Sequence, residues 1–155
     1  MCRIETCTRD DFDTIVTNHG VYWDSDLTLA LHHPLLIHEF GDTAYVARDG
    51  VTIAGYLFGF FAQQAGHAYV HLVAVHPRYR GRGLGRRLYA HFMQQARRQG
   101  CTALKATAAP ANVASIRFHR ALGMRMLGRA DRDGVTVVRD YLKPGVDRVV
   151  FYRPL

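Results

Sequence analysis

The alternation of apolar and polar positions predicts a run of strands before the middle of the chain. Residues 68–75 alternate strictly, so the odd-numbered side chains share one face of a strand and the even-numbered side chains share the other. Residues 43–48 and 51–61 predict two further strands, because Asp49-Gly50 between them is a strong signal for a hairpin turn. The chain is therefore expected to contain a sheet.

Helical spacing of apolar residues predicts two short helices before these strands. They are expected over residues 10–22 and 26–40. Thr8 or Asp10 is the candidate N-cap of the first helix, since both side chains accept hydrogen bonds from main-chain N–H groups. Pro34 is expected to bend or end the first part of the second helix, because proline cannot continue the helical hydrogen bonds.

The second half of the chain alternates between helical and strand patterns. The predicted elements are a helix over residues 84–99, a strand over 101–108, a helix over 112–122, and closing strands over 135–140 and 148–152. The strand after the first of these helices must run parallel to the strand before it. The whole order predicts an α/β fold, a mixed sheet with helices on both faces, in a single domain over residues 1–155.

A glycine-rich turn separates the strand that ends at Val75 from the helix that begins at Leu84. A strand, such a turn and a helix together direct several main-chain N–H groups at one point, which suits a phosphate or pyrophosphate. No lysine follows the glycines, as a P-loop would require. The spacing Gly81-x-Gly83-x-Gly85 also differs from the dinucleotide-binding fingerprint, whose later acidic residue is missing too.

Two motifs resemble those of the GNAT superfamily of N-acetyltransferases. Arg80, Gly83 and Gly85 match its pyrophosphate loop, Arg/Gln-x-x-Gly-x-Gly/Ala. The second motif, which resembles Asn-x-x-Ala/Ser-x-x-Leu-Tyr-x-x-x-Gly-Phe of the superfamily, is Asn112-x-x-Ser115-x-x-Phe118-His119-x-x-x-Gly123-Met124. The motifs stand in the correct order, and the resemblance covers roughly residues 43–127.

The resemblance implies a fold in which two parallel central strands splay apart and acyl-CoA lies in the gap. It implies acetyl-CoA as the co-substrate, with main-chain atoms of Val73, Ala74 and Val75 bonded to the pantetheine arm. Asn112, Ser115 and His119 would contact the cofactor from the other wall. The residues implied to bind the pyrophosphate form the turn itself: Arg80, Gly81, Arg82, Gly83, Leu84, Gly85 and Arg86.

The superfamily pattern does not identify which residue of this chain would be the general base of acetyl transfer. Many members carry a glutamate on the strand before the turn, but no acidic residue lies between Gly66 and Arg80. His71 stands where serotonin-type acetyltransferases carry a histidine, and an imidazole of pKa ~6.5 accepts a proton at neutral pH. His71 is therefore the candidate base, through a water molecule; the alternative is a histidine bonded only to neighbouring main chain.

The superfamily pattern also does not identify which residue would donate a proton to the CoA thiolate as it leaves. His119 occupies the position where the superfamily motif usually has tyrosine, and phosphinothricin-type enzymes carry histidine there as well. A protonated His119 would serve as the acid; otherwise it contacts the cofactor sulfur or caps the pocket. Tyr69 is a weaker candidate for the base or the acid, because an aromatic residue on a strand face more often serves in side-chain packing than in proton transfer.

Composition narrows the classes of partner. The net charge of +7 is carried almost wholly by arginine, and the densest group surrounds the glycine turn, where a polyanionic cofactor explains it more simply than nucleic acid does. His32, His33 and His38 have no carboxylate at metal-ligand spacing, so no metal is expected.

Targeting signals and cysteine usage bear on location. No apolar run reaches 18 residues and the N-terminus lacks a signal-peptide core, so neither membrane insertion nor export is expected. Three cysteines without paired spacing fit a reducing compartment. The protein is therefore expected in the cytoplasm.

The most favoured function is transfer of an acetyl group from acetyl-CoA to a primary amine, by direct attack in a ternary complex. A small-molecule acceptor is favoured, and Tyr22, Trp23 and Phe40 lie in the region that usually forms its pocket, with Asp24 and Asp26 able to attract a cation. A protein or peptide acceptor, or a non-catalytic acyl-CoA-binding regulator, are the alternatives. Family habit suggests a homodimer through the closing strands.

Overall fold

The computed structural model describes residues 1–63 and 66–155, which divide into two compact units. One unit comprises Met1–Phe60 and Val70–Gln95, and the other comprises Phe61–Tyr69 and Ala96–Leu155. Strands and helices alternate along the chain, so the structure is of the predicted α/β class with a mixed sheet. The expectation of a single domain stays a prediction.

The first unit contains the N-terminal helices and the strands up to the glycine turn. Its elements are β1 (Arg3–Thr6), α1 (Arg9–Thr17), α2 (His19–Tyr22), α3 (Leu35–His38), β2 (Ala44–Asp49), β3 (Thr52–Phe61), most of β4 (His67–Val75) and most of α4 (Leu84–Arg98). Its strand order is β1-β2-β3-β4, with antiparallel pairing of β1 with β2 and of β2 with β3. The short strand β1 was not predicted from the sequence.

The two N-terminal helices are shorter than the sequence predicts. Thr8 does cap α1: its hydroxyl accepts from Asp11 N at 3.2 Å, and the Asp11 carboxylate accepts from Thr8 N at 3.0 Å. The helix then breaks at Asn18, whose main chain leaves the helical region. The prediction of one helix over residues 26–40 is wrong. This segment contains a 3-10 helix, Asp26–Leu31, and after Pro34 the single helical turn α3.

Close packing of main chain explains one glycine in β3. A Cβ atom at Gly55 would lie 2.8 Å from the Ala74 carbonyl oxygen and 3.5 Å from the side chains of both Leu84 and Leu88. Glycine therefore lets β3 approach the end of β4 and the first turns of α4. Since α4 follows the glycine turn directly, this contact also helps to hold the turn.

The second unit contains the elements after α4. They are β5 (Ala103–Ala108), α5 (Val113–Ala121), β6 (Arg125–Leu127), β7 (Arg129–Ala130), β8 (Thr136–Lys143) and β9 (Val146–Pro154). β5 pairs antiparallel along its whole length with residues 149–154 of β9. β9 also pairs with β8 and with β6, and β8 pairs with β7. The closing strands are longer than predicted, and β6 and β7 were not predicted. Across the described part of the chain, no helix has the length and apolar character needed to span a membrane.

Candidate functional site

The glycine turn is shaped by Arg80. Its Nε donates to the Val75 carbonyl at 3.0 Å, and its terminal nitrogen donates to the Tyr22 carbonyl at 3.2 Å. Between β4 and Arg80 the chain makes a 3-10 turn, Pro77–Tyr79. The guanidinium of Arg80 therefore ties the turn to the end of β4 and to α2, which differs from a side chain directed at a phosphate.

The turn leaves an open cradle in front of α4. Gly81 and Gly83 have φ angles of +74° and +76°, which side chains other than glycine rarely adopt, and a Cβ at either would meet no atom within 4 Å. The first N–H groups of a helix have no partner within it, and here they follow directly on these glycines. Arg82 and Arg86 are exposed beside them. The cradle therefore combines space, N–H donors and positive charge, which is the chemistry that a pyrophosphate needs.

The alternation predicted for β4 is confirmed. Leu72 and Ala74 are buried, whereas Val73, Val75 and His71 are half-buried on the other face. The main chain of Val73 to Val75 is the segment expected to bond to pantetheine, and that role stays a prediction.

His71 adopts one defined tautomer. Its Nε2 lies 3.1 Å from the Leu31 carbonyl oxygen, and because a carbonyl only accepts, Nε2 carries the proton. In the neutral ring Nδ1 is then the basic nitrogen. Burial lowers the pKa of His71 below its usual value, and the bond to Leu31 offsets part of that shift. His71 is therefore neutral at pH 7, as a general base must be.

A buried hydrogen-bonded group lies near His71 that the sequence did not reveal. His32 donates from Nδ1 to the Thr28 carbonyl at 2.8 Å, so its Nε2 accepts from the Tyr56 hydroxyl at 2.8 Å. The Trp23 indole N–H donates to the same hydroxyl oxygen at 2.6 Å. His32 and Tyr56 are 6% and 0% exposed. The three hydrogen bonds run in one direction: Trp23 donates to Tyr56, Tyr56 donates to His32, and His32 donates to the Thr28 carbonyl.

His32, His33 and His38 bond to different partners. His33 Nδ1 accepts from Leu35 N at 3.1 Å, and His38 Nε2 lies 2.9 Å from the Arg9 guanidinium. Within residues 1–63 and 66–155, no group of three or more His, Cys, Asp or Glu side chains is placed to hold a metal ion.

The aromatic residues expected near the acceptor separate into two kinds. Tyr22 is a core residue whose hydroxyl donates to the Ile53 carbonyl at 2.9 Å. Phe40 is 38% exposed and lies 5.6 Å from the ring of Phe60, which lies 6.5 Å from the His71 ring. An apolar surface therefore extends from His71 through Phe60 to Phe40.

The second unit carries the Asn112 motif, and its first residue caps α5. Asn112 Oδ1 accepts from Ser115 N at 3.0 Å, which satisfies one of the first N–H groups of the helix. A contact between Asn112 and a cofactor would therefore come from its amide NH2 group. The helix ends at Ala121, and Gly123 follows with a φ of +75°.

His119 lies on α5 in a buried, stacked environment. It is 4% exposed, stacks on Phe151 at 4.2 Å, and donates from Nδ1 to the Ser115 carbonyl at 2.8 Å. Burial lowers its pKa to about 4, with the Ser115 carbonyl opposing part of the shift. At pH 7 the ring is neutral and its Nε2 is an acceptor, so it holds no proton for the thiolate. The acid role predicted for His119 stays a prediction, and the lowered pKa does not favour it.

Tyr69 keeps its proton at neutral pH. Its hydroxyl lies 2.9 Å from Thr107 Oγ1, and burial is the main cause that raises its pKa above the usual value. A tyrosine with a raised pKa donates hydrogen bonds and is a poor source of free protons.

Comparisons with known proteins agree on one family. The model of the acetyltransferase (GNAT) family matches residues 9–124. The chain is 32% identical over 124 residues to the L-methionine sulfoximine/L-methionine sulfone acetyltransferase of Salmonella typhimurium, across 79% of this chain and 67% of that protein. It is 31% identical over 112 residues to the L-amino acid N-acyltransferase MnaT of Escherichia coli, across 71% of this chain and 60% of that protein.

A solved structure shows the same fold. It is that of yncA from Salmonella typhimurium with its cofactor acetyl-CoA, which matches with a TM-score of 0.69 at 24% identity. The match covers 100% of this chain and 94% of that one.

Proposed function

We propose that this chain, which belongs to the acetyltransferase (GNAT) family, transfers the acetyl group of acetyl-CoA to the α-amine of an amino acid. Membership of this family supports the fold and supports acetyl-CoA as the acetyl donor. The choice of acceptor rests on the two curated relatives, which are named for methionine derivatives and for L-amino acids. An amino acid is a small primary amine, in line with the prediction from the sequence.

The open cradle of Gly81 and Gly83 is the observation that carries the proposal. Both glycines adopt positive φ angles, and no atom of the described residues lies within 4 Å of the position that a Cβ would take, so the space in front of the turn is open to a ligand. The cradle faces N–H groups at the start of the 15-residue helix α4 and lies between exposed arginines. A pyrophosphate, which acetyl-CoA supplies, fits this donor set.

His71 is proposed as the general base. Its Nδ1 takes a proton from the ammonium form of the acceptor, directly or through water, and frees the nitrogen lone pair for attack on the thioester carbon. The C–N bond forms, the C–S bond breaks, and the second amine proton passes to the departing sulfur. The products are the N-acetyl amine and CoA, and His71 returns one proton to solvent.

The neutral His119 changes how the sulfur receives its proton. Because its ring holds no spare proton at pH 7, the proton of the sulfur is proposed to come from the attacking amine. The Tyr69 hydroxyl, which keeps its proton, is at most a hydrogen-bond donor in this scheme.

The surface beside His71 favours an acceptor with an apolar side chain. Phe60 and Phe40 extend from the His71 ring, and the Leu31 side chain, 43% exposed, belongs to the residue whose carbonyl binds His71. Apolar side chains gain free energy on such a surface, whereas the extra ammonium groups of a polyamine do not. Methionine and other apolar amino acids are therefore the proposed acceptors.

The proposal is tested by measuring CoA release from acetyl-CoA over a panel of amines. The panel contains apolar and polar amino acids, methionine sulfoximine, polyamines, and peptides with a free N-terminus. Turnover confined to apolar amino acids supports the proposal. Turnover on peptides alone would move the acceptor to a protein, and acetyl-CoA binding without any turnover would indicate a regulator.

A pair of glycine variants tests the cradle separately. Gly81→Ala strains the turn and places a methyl group in the cradle, so the Kd for acetyl-CoA is expected to rise at least about tenfold. Gly145→Ala is the matched control, since Gly145 has a φ of +78° and the same open space, but lies in the turn between β8 and β9. Equal Kd values for the two variants would exclude the cradle as the cofactor site.

Location and assembly complete the proposal. Use of acetyl-CoA and three unpaired cysteines fit a cytoplasmic protein.

A homodimer through the closing strands is proposed because Tyr141 and Leu142 of β8 are 41% and 58% exposed. Sedimentation of the wild type against Leu142→Glu tests this: a dimer that becomes a monomer supports it.

A further inference from the structure

The 3-10 helix Asp26–Leu31 contains no buried side chain. Apolar packing therefore contributes little to its position. Yet the carbonyl at its last residue, Leu31, accepts the hydrogen bond from His71 Nε2 at 3.1 Å. The orientation and tautomer of His71 thus depend on whatever else holds this helix.

Hydrogen bonds from buried side chains hold the helix. His32, the residue after its end, donates from Nδ1 to the carbonyl of Thr28 inside the helix and accepts at Nε2 from Tyr56, each at 2.8 Å. Tyr56 is a fully buried residue of β3, so this attachment reaches the core of the first unit. The indole N–H of Trp23 donates to the Tyr56 oxygen at 2.6 Å, which turns the hydroxyl proton toward His32.

A second histidine supports the same turn. His19 is 3% exposed, and its Nε2 lies 2.7 Å from the Thr28 hydroxyl, which itself donates to the Ser25 carbonyl at 3.2 Å. Thr28 is therefore bonded through its side chain to His19 and through its carbonyl to His32. The helix is fixed by polar contacts at its middle and at its end.

The peptide group between Leu31 and His32 joins these contacts to His71. The N–H of His32 donates to the Leu29 carbonyl at 3.0 Å, while the carbonyl on the other side of this peptide accepts from His71. A rotation of the peptide would move both the His32 side chain and the Leu31 carbonyl, since they flank the same planar unit. The bond between His32 and Tyr56 resists that rotation.

We propose that His32 is a positioning residue for His71. The Tyr56–His32 pair holds the Leu31 carbonyl in place, so that His71 keeps its proton on Nε2 and presents Nδ1 in a fixed direction. His32 acts through this carbonyl rather than on the reactants. The inference rests on the proposed role of His71 as the base, because only a base gains from a fixed lone pair.

The direct test is nitrogen-15 NMR of histidine-labelled protein, which distinguishes protonated from unprotonated ring nitrogens. The signals of His71 are assigned by their loss in His71→Gln. In the wild type, Nε2 is expected to be protonated and Nδ1 unprotonated. In His32→Ala both nitrogens are expected to shift toward intermediate values, because the Leu31 carbonyl is no longer held and the ring exchanges between tautomers.

Kinetics of the same variants give the functional readout. His32→Ala is expected to lower kcat for the amine about tenfold, since small misplacements of a reacting group are costly, with the KM for acetyl-CoA unchanged. His33→Ala is the matched control: His33 is the next residue, it is exposed, and its side chain accepts from Leu35 N. Its kcat and its His71 signals are expected to equal those of the wild type.

Tyr56→Phe tests the other end of the chain of donors and replaces His32→Ala if that variant does not fold. It keeps the buried ring and removes the donor to His32, so the same changes are expected at smaller size. Wild-type His71 signals in both variants would overturn the proposal, even if their Tm falls, because His32 would then be purely structural. Should the wild type acetylate no amine, the proposed function fails, whereas the NMR measurement still decides whether His32 orients His71.

Discussion

His71 and His119 carry the same imidazole, and each donates one ring N–H to a main-chain carbonyl, but the carbonyls have different origins. For His119 the acceptor is Ser115, one turn earlier in the same helix. For His71 it is Leu31, 40 residues earlier, in a short helix without buried side chains. His119 is also stacked on Phe151 and nearly inaccessible, whereas His71 is half-buried.

A hydrogen bond that fixes the tautomer in both rings therefore does not imply a shared role. His119 is held by its own helix and is so desolvated that its pKa falls to about 4, which makes it a permanent neutral acceptor at pH 7. His71 is held by a distant segment and stays near enough to solvent to exchange protons. Of the two, His71 is therefore the residue that we propose as the base.

The largest effect expected is on turnover. His71→Gln removes the basic Nδ1, and kcat is expected to fall about 10²–10⁴-fold, the usual contribution of a general base. His119→Asn keeps a donor for the Ser115 carbonyl and is expected to stay within about threefold of the wild type. Steady-state rates with a saturating amino acid measure both. The comparison fails if His119→Asn loses as much activity as His71→Gln.

The next effect is on stability at low pH, and it belongs to His119. The pKa of His119 is about 4 in the folded protein and 6.5 in the unfolded chain, so between these values the unfolded chain binds more protons. Stability is therefore complete above pH 6.5 and falls as the pH drops toward 4, by up to about 3 kcal/mol.

His119→Phe should remove this part of the pH dependence, because the replacement cannot bind a proton. Urea unfolding between pH 4 and 7 measures it for both proteins, with His33→Phe as the exposed control. Parallel curves for the wild type and His119→Phe would contradict the burial argument.

A smaller effect is expected in the pH profile of kcat/KM. Burial lowers the pKa of His71, so the protonated, inactive form is expected to accumulate only below pH 6.5, and the rate should rise as the pH increases through that pKa. His119→Asn should leave the acidic limb where it is. If the acidic limb moves in His119→Asn but not in the His33→Ala control, the titrating group is His119 and the prediction for His71 is contradicted.

The smallest effect is expected at Ser115. Its hydroxyl lies 3.2 Å from His119 Nδ1, but the stronger bond of 2.8 Å goes to the Ser115 carbonyl, which no substitution removes. Ser115→Ala should therefore change the free energy of unfolding by less than about 1 kcal/mol. Thermal unfolding of Ser115→Ala and Asn112→Ala gives the contrast, since Asn112 is the cap of α5 and its loss should cost about 1 kcal/mol.

Local features of the fold were predictable from the sequence. The glycine turn, the hairpin at Asp49-Gly50 and the cap at Asn112 each depend on a few adjacent residues, so their chemistry is visible in the letters. The strand β4 also follows from alternation, which its burial repeats residue by residue. The family motifs could be recognised for the same reason.

Tertiary features were not predictable in this way. His32 obtains its partner from Tyr56, 24 residues later, and no spacing rule connects them. The burial of His119 comes from Phe151 in the last strand, so its lowered pKa could not be inferred from the motif. The leucine spacing in residues 26–40 indicated a helix, but most of those leucines are exposed and packing does not stabilise one.

The bond that orients His71 comes from main chain, and this makes position 31 unusually free to vary. Any residue there offers the same carbonyl, and the side chains of Leu27, Leu29 and Leu31 are exposed. A laboratory library can therefore randomise these three positions and keep the main-chain acceptor of His71. If the proposed function holds, such a library would vary the surface beside the acceptor without changing the proposed base.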